Sequence, residues 1–543
     1  MIGAIGGVEV RPIFKLAVAG TLGMLLIGSI ASAANVKEMI EVYRNQARLK
    51  VNGQDVTVEN FVHNGTAYVP VTALSAQLGA DVAWDAKTMT ASVTTVRQTT
   101  LKGTVDSVKP VISLKGVGLR GDQVDAAELE LAGKTVLRRF EISADQVAIF
   151  DDTAPADSNV LQFDQPYTLK LFAKNGARYQ IQFTAGGLPD LTDTGVRRVV
   201  MVPAMPEKGF YWPYYLAVPS SQYKGVNQGH RRYLMIDTTN TGSSNNVAEM
   251  LNKARNEIVN RGQYSMSVAE ELWAPMLFPA FPRPDVSYNN GGEFNLFYTH
   301  AFDRDTARLH LMLKEPNLGA SLTQSFKQAG FDVNTLANLD LQLNAMIDHA
   351  IAYLNQYGHK VEPTKVMLNG YSASGTFTDR YTNLHPQRVK AVASGGTLDD
   401  MMLPLAELKG QKLIFPIGTS DYKEITGRSF DLAKHNQPAR LIYMGEDDTN
   451  NVVPFGDCYG DKERKIITDL WGLPVLPRAK ALIELYGKGG GKGMFILDKG
   501  IAHGMSREMQ TYVKTFLAAN RDSDEPVYPV PSNANQLKYT LFE

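Results

Sequence analysis

The sequence predicts a multidomain chain. A large C-terminal α/β domain, with a mostly parallel sheet and helices on both sides, is preceded by a small α+β module and a small β-rich domain. Three observations carry this reading. Between residues 195 and 520 short apolar runs alternate with amphipathic helical periods, the pattern of a parallel sheet. Between 101 and 185 alternating strand patterns follow one another with few helical periods. Between 36 and 97 hairpin and helix signals stand side by side. The composition agrees: 543 residues, 44% hydrophobic and 20% charged, suit globular domains with ordinary cores. Lys+Arg is 55 and Asp+Glu is 56, so the chain offers no basic field for nucleic acid. The one cysteine, Cys458, excludes an internal disulfide, and also thiolate zinc sites or iron–sulfur clusters held by this chain alone.

The first element is an address. Arg11 and Lys15 precede the apolar run Leu16 to Ile30, and Ala31-Ser32-Ala33 follows with small residues at the spacing a signal peptidase reads. The run is short of the roughly 20 residues that span a bilayer. Residues 1–33 are therefore expected to be a secretory signal cleaved near Ala33, with an uncleaved membrane anchor as the alternative. The expected location is secreted or at the cell surface.

In the 36–97 module, Arg48 to Val58 alternates around Asn52-Gly53, a two-residue hairpin signal. Val71, Leu74 and Leu78 lie at helical spacing and Gly79 suits the stop. Val82 and Trp84 lead into a closing strand through Thr90-Ala91-Ser92-Val93. Val51-Asn52-Gly53, Gly65 to Pro70, Leu78-Gly79-Ala80 and Val82-Ala83-Trp84-Asp85 resemble the module named after the N-terminal domain of copper amine oxidases. Copper(II) sites draw on several imidazoles, and this region has only His63. A structural or surface-attachment role is expected, with Tyr68 and Trp84 in the core.

In the 101–185 domain, Tyr167 to Phe172 and Arg178 to Phe183 flank Asn175-Gly176, a second hairpin signal, and a small sandwich is expected. Asp151-Asp152 reads as a solvated turn. Gly186 to Gly195 reads as a linker by its Gly, Pro and Asp content. At the other end, residues 521–543 are polar and proline-rich and read as a loosely docked tail.

The chemistry concentrates in the 195–520 domain. Leu339, Leu343, Met346, Ile347, Ala350, Ile351 and Leu354 share one helical face. The apolar strand Lys365 to Leu368 follows, then Gly370-Tyr371-Ser372-Ala373-Ser374-Gly375, then a helical pattern. Helix, strand, G-x-S-x-S-G and helix form the context of a nucleophile elbow, where a serine on a sharp turn projects its hydroxyl above the sheet. Ser372 is the candidate nucleophile. Ser374 would need a small residue where β-branched Thr376 stands. A serine needs a base, and in such folds acid and then histidine follow the serine in the chain. His385 lies on the turn behind the elbow helix and is expected to cap or pack; His435 precedes the acid candidates. His503 follows the apolar strand Gly493 to Leu497 and is the candidate base. Glu446, Asp447, Asp448 and Asp457 are the acids after the strand Arg440 to Met444; G-x-x-D spacing from Gly445 selects Asp448, with Asp447 second. An oxyanion hole needs two N–H donors. Ala373 should supply one. Asn240 or Thr241, in the loop after the strand Tyr233 to Ile236, should supply the other.

With these residues in place, Val199 to Leu517 resembles an α/β-hydrolase of the esterase and polyhydroxybutyrate-depolymerase-like kind. The likeness rests on Gly370 to Gly375, Arg380 to Val392, Gly445 to Asp448 and His503. It implies a serine hydrolase; the expected substrate is a small-molecule or polymer ester, and no cofactor is expected. Phe281 to Pro284, Tyr288 to Gly292 and Tyr298 to Asp303 are candidate lid segments. Arg283, His300 and Arg304 are candidates to meet a carboxylate or phosphate, or else loop anchors. Two other readings stay open: a peptidase of prolyl-oligopeptidase type, and a non-catalytic surface-binding protein on a hydrolase scaffold. Contact with the cell wall through the front module is a further expectation.

Overall fold

The computed structural model describes residues 39–543 except 52–53, 78–79, 89, 108, 153–159, 162–164, 175–176, 187, 190, 194, 241, 243, 260–263, 291–292 and 456–457. The expected signal segment, the expected turns at Asn52-Gly53 and Asn175-Gly176 and the expected stop at Gly79 therefore lie outside the described residues. No helix among the described residues is long and apolar enough to cross a membrane. The chain forms two compact units, one up to Thr153 with Val160–Gly187, the other from Leu188 to Glu543.

The first unit corrects the expected boundary between 97 and 101. A single strand, Thr90–Val105, runs through it. It pairs antiparallel with Ala80–Asp85 over its first half and parallel with Arg178–Ala185 further on, within one six-stranded sheet. Arg97 to Leu101 holds two threonines and neither glycine nor proline, so nothing there breaks a strand. A three-stranded sheet of Val111–Ser113, Arg139–Ile142 and Gln146–Phe150 supplies the opposing layer. Its Ile112, Val147 and Ile149 share a core with Leu129, Leu169, Leu171 and Ile181, the alternate residues of the large sheet. The expected hairpin Leu49–Val51 with Gln54–Val56 and the helix Val71–Gln77 form. Tyr68 and Trp84 are exposed, Trp84 by 56%, rather than in a core. Tyr68 instead stacks on Phe61 at 4.9 Å. In small antiparallel sheets one face stays wet, and aromatic residues on it have no layer to enter. Asp151 and Asp152 are ion-paired to Arg138 and Arg139 at 3.1 and 3.0 Å rather than only solvated.

The second unit is built on one nine-stranded sheet. Its strands are β1 (Arg198–Val202), β2 (Tyr214–Val218), β3 (Met235–Ile236), β4 (Met276–Pro279), β5 (Val366–Tyr371), β6 (Val389–Gly395), β7 (Ala439–Gly445), β8 (Gly493–Asp498) and β9 (Leu537–Phe542). Their spatial order is β1-β2-β4-β3-β5-β6-β7-β8-β9. Strands β4, β3, β5, β6, β7 and β8 run parallel, and β2 and β9 pair antiparallel at the flanks. This is the α/β-hydrolase fold, with one added edge strand. Strands β7 and β8 are buried throughout because both faces are covered. Leu441, Tyr443, Met494 and Ile496 pack toward helices α1 (Val247–Val259) and α5 (Arg507–Asp522), whereas Ile442, Met444, Phe495 and Leu497 pack toward α4 (Val475–Lys488). Between them in the chain come α2 (Leu339–Gln356) and α3 (Ala373–Leu384). Helix α5 shows the local logic: the Ser506 hydroxyl caps it by accepting from Met509 N–H, and Met509, Val513, Phe516 and Leu517 form its buried stripe.

The tail reading is corrected. Residues 521–543 belong to the sheet: β9 pairs with the whole of β8, and Leu537 is buried. Asp522 and Asp524 pair with His230 and Arg231. The proline-rich stretch before β9 hid a strand whose partner is fixed by an unpaired edge, not by local pattern. The linker is also shorter than expected, because Leu191 is buried and Pro189 accepts a hydrogen bond from the Tyr353 hydroxyl. Leu537→Ala should lower the unfolding free energy by about 2–4 kcal/mol in a urea titration. A freely docked tail would lose almost nothing.

Candidate active site

Strand β5 ends at Tyr371 and α3 begins at Ala373, so Ser372 takes the whole turn. Its φ of 61° and ψ of −130° form a conformation that costs a non-glycine residue about 1–3 kcal/mol. Two backbone bonds hold it there. Ser372 N–H donates to Gly395 O at 2.9 Å, and Thr376 N–H donates to Ser372 O at 3.0 Å. Glycines make the room. A Cβ on Gly370 would lie 2.4 Å from Ser374 O, and one on Gly375 would lie 2.3 Å from Gly395 O. Gly375 is therefore the second small residue the turn requires. Ser374 fits where it stands, because its Oγ accepts from Tyr371 N–H at 3.0 Å and lies 3.1 Å from Tyr371 O.

The structure brings Ser372, His503 and Asp448 together. His503 Nε2 lies 2.9 Å from Ser372 Oγ, and Nδ1 lies 2.7 Å from Asp448 Oδ2. Asp448 is buried, and its second oxygen accepts from Asn450 N–H at 2.8 Å. The arrangement suits an imidazole whose Nδ1–H is held by a carboxylate and whose Nε2 accepts from the serine hydroxyl. The loops carrying acid and base touch closely because Gly445 has no side chain: a Cβ there would lie 2.1 Å from Ala502 O. Asp447 N–H donates to Ile501 O at 2.9 Å, but its side chain is exposed. Glu446 pairs with Lys538 of β9 at 2.7 Å. Asp457 lies outside the described residues. His385 packs behind α3, 2.8 Å from Asp340, and buried His435 bonds Tyr486 OH at 2.8 Å.

Asn240 also reaches the elbow. Its Oδ1 accepts from Ser374 N–H at 3.0 Å, and its carbonyl accepts from Lys253 at 2.8 Å. Thr241 lies outside the described residues. Ala373 sits at the first turn of α3, where helical N–H groups and the helix dipole favour negative charge. Below this loop, burial pushes the Asp237 carboxyl up to about 7, against a hydrogen bond that its Oδ1 accepts from Thr238 N–H at 2.8 Å.

Two of the expected lid segments are packed instead: Phe281 and Arg283 of the first and Tyr298 and His300 of the last are buried, while Gly291 and Gly292 lie outside the described residues. Arg304 anchors loops by pairing with Asp421 at 2.6 Å and Glu463 at 3.4 Å. Arg283 lies over the Tyr298 ring, 3.2 Å from His300 Nε2. Sequence reasoning missed three supports of the site. The Tyr371 hydroxyl donates to Gly504 O at 2.9 Å and braces the base loop. Asn450 Nδ2 lies 3.3 Å from His503 Nε2. Buried Arg478 joins Asp399 at 2.5 Å to Asn451 at 2.9 Å, tying the loop after β6 to the acid loop. None of these contacts has a local signal; only the asparagines beside Asp448 hinted at polar anchoring.

In the front module both ring nitrogens of His63 are engaged, with Glu41 O and with Asn64. That donor set does not suit copper. Among the described residues no group of three or more His, Cys, Asp or Glu is placed to hold a metal ion.

The model of the copper amine oxidase N-terminal domain matches residues 50–120, across the boundary expected at 97–101. No curated protein matches the chain in sequence. Among solved structures, a poly(3-hydroxybutyrate) depolymerase from Bordetella parapertussis is similar at 15% identity, over 62% of this chain and 96% of that one, with a TM-score of 0.34. A poly(aspartic acid) hydrolase from Sphingomonas sp. KT-1 is similar at 15% identity, over 59% and 97%, with a TM-score of 0.34. A thermostable esterase is similar at 14% identity, over 77% and 95%, with a TM-score of 0.28.

The steric reading of the elbow separates two neighbours. Gly375→Ala should leave little soluble protein, because its Cβ meets backbone that cannot move aside. Ser374→Gly should stay folded, with a melting temperature a few degrees lower for about 1 kcal/mol of lost hydrogen bonding. Equal behaviour of the two variants would contradict the assignment of the second small position to Gly375.

Proposed function

We propose that this chain is an exported serine hydrolase that cleaves a carboxylic ester through an acyl-enzyme. The observation that carries the reading is the unbroken run of hydrogen bonds from Asp448 through His503 to Ser372, with Ser372 on a strained turn at the carboxyl end of β5. Ser372 Oγ attacks the ester carbonyl while His503 Nε2 takes its proton. Asp448 fixes the Nδ1–H tautomer and stabilises the imidazolium. The tetrahedral oxyanion is held by Ala373 N–H and by a donor of the loop at Asn240 and Thr241, beside the positive end of α3. His503 then protonates the leaving alcohol, and water, activated by the same imidazole, releases the acid. No cofactor enters these steps. The signal segment accounts for export, and the front module is assigned to contact with the cell wall.

Hydrolysis of nitrophenyl esters by the secreted protein tests this. The parent should turn over, and Ser372→Ala, His503→Ala and Asp448→Asn should each lower kcat by about 10⁴-fold or more. Asp447→Asn should stay within a few-fold of the parent. A folded parent without ester hydrolysis would contradict the reading, and faster cleavage of peptide anilides would replace the ester by a peptide.

A further inference from the structure

A second cavity lies at the opposite end of the same sheet. Arg232 precedes β3, Trp273 precedes β4, and His359 and Lys360 precede β5, so they gather at the amino ends of three parallel strands. Ser372 stands beyond the carboxyl end of β5. These four residues, with Lys224 and His230, line a cavity of about 760 Å³. That volume falls within the range of small-molecule sites, about 300–1,000 Å³.

The guanidinium of Arg232 is fixed but incompletely used. Its Nε donates to Trp273 O at 2.8 Å, and Nη1 donates to His359 Nδ1 at 2.9 Å and His359 O at 3.2 Å. Arginine has five N–H donors, so both N–H groups of Nη2 remain. Among the described residues Nη2 has no acceptor, although Arg232 is only 6% exposed. Trp273 Nε1 is a second buried donor with no acceptor among the described residues, and its ring lies 3.8 Å from the same guanidinium. Leaving such donors unmet costs about 1–3 kcal/mol each, more for a charged group. His359 adds no charge. Its Nδ1 accepts from Arg232 while Nε2–H donates to Leu191 O at 2.7 Å, and burial lowers its pKa. His230 is committed to Asp522 at 2.6 Å. Lys224 and Lys360 are exposed at the rim, and Asp193 is the acid of the lining. Burial lowers the Arg232 pKa to about 10, which leaves it cationic at neutral pH.

We infer that this cavity binds a small organic anion: Arg232 Nη2 and Trp273 Nε1 lie just beneath the cavity wall and are closed off from solvent, so a shift of the Trp273 side chain on binding admits a carboxylate or phosphate oxygen that accepts from both, with Lys224 and Lys360 adding long-range attraction. The site is separate from the catalytic reading and stands without it.

The experiment is calorimetric titration of the full chain with inorganic phosphate, phenyl phosphate, benzoate and citrate, with tryptophan fluorescence in parallel. At least one anion should bind saturably below about 10 mM, a regime of roughly 3 kcal/mol or more. Trp273→Phe keeps an aromatic ring and removes the donor; Lys224→Gln with Lys360→Gln changes only exposed side chains. Each should weaken binding about fivefold, the scale of one lost hydrogen bond or rim charge. Ser372→Ala should bind as the parent does. No saturable binding of any of the four anions, unchanged affinity in both sets of variants, or loss of binding in Ser372→Ala would each overturn the inference, the last by placing the anion at the catalytic serine.

Discussion

The second unit is organised around one backbone conformation, that of Ser372. A non-glycine residue at φ 61° and ψ −130° is a local loss, and it persists because the surroundings permit little else. Its N–H is held by β6, its carbonyl opens α3, and the glycines at 370, 375 and 395 let the chains pass. Gly395 cannot carry a side chain, because a Cβ would meet the Tyr371 and Tyr443 rings at 2.5 Å. Gly396 has φ 69°, and its missing side chain leaves space beside His503 Cε1 and Ser372 N. The strain is thus offset by hydrogen bonds and packing drawn from β6, β7 and α3.

Around this turn the loops carrying Asp448 and His503 are also held from the far edge of the sheet. Gln536, just before β9, donates to Asp498 Oδ1 at 2.8 Å and to Lys499 O at 2.6 Å. Asp498 is fully buried, and its other oxygen accepts from Ser506 N–H at 2.7 Å, at the start of α5. Lys538 on β9 holds Glu446, two residues before Asp448. The C-terminal strand therefore closes an exposed sheet edge and also buttresses the two loops that flank the serine.

Much of this was legible in the sequence, for a physical reason. The elbow, the G-x-x-D turn and the histidine after an apolar strand are local devices, and their residues are chosen by the turn they must make. The structure brings Ser372, Asp448 and His503 into one chain of contacts and sets Asn240 beside it. The rest depends on pairing at a distance. Neither the continuation of Thr90–Val105 across two expected domains nor the docking of β9 on β8 leaves a short-range trace. The sequence points Trp84 inward because large aromatics usually are buried, but a sheet with one covered face has an outer side as well. The elbow departed from its usual form at Ser374, and the structure explains why: Gly375, one residue on, makes the close approach to β6.

Reaction of the full chain with a fluorophosphonate, followed by intact mass and peptide mapping, asks whether the hydroxyl at the turn is activated. The predicted result is one adduct per chain on Ser372, lost in Ser372→Ala and His503→Ala and retained in Ser374→Ala. An unlabelled but folded parent, or an adduct on another residue that persists in Ser372→Ala, would contradict it.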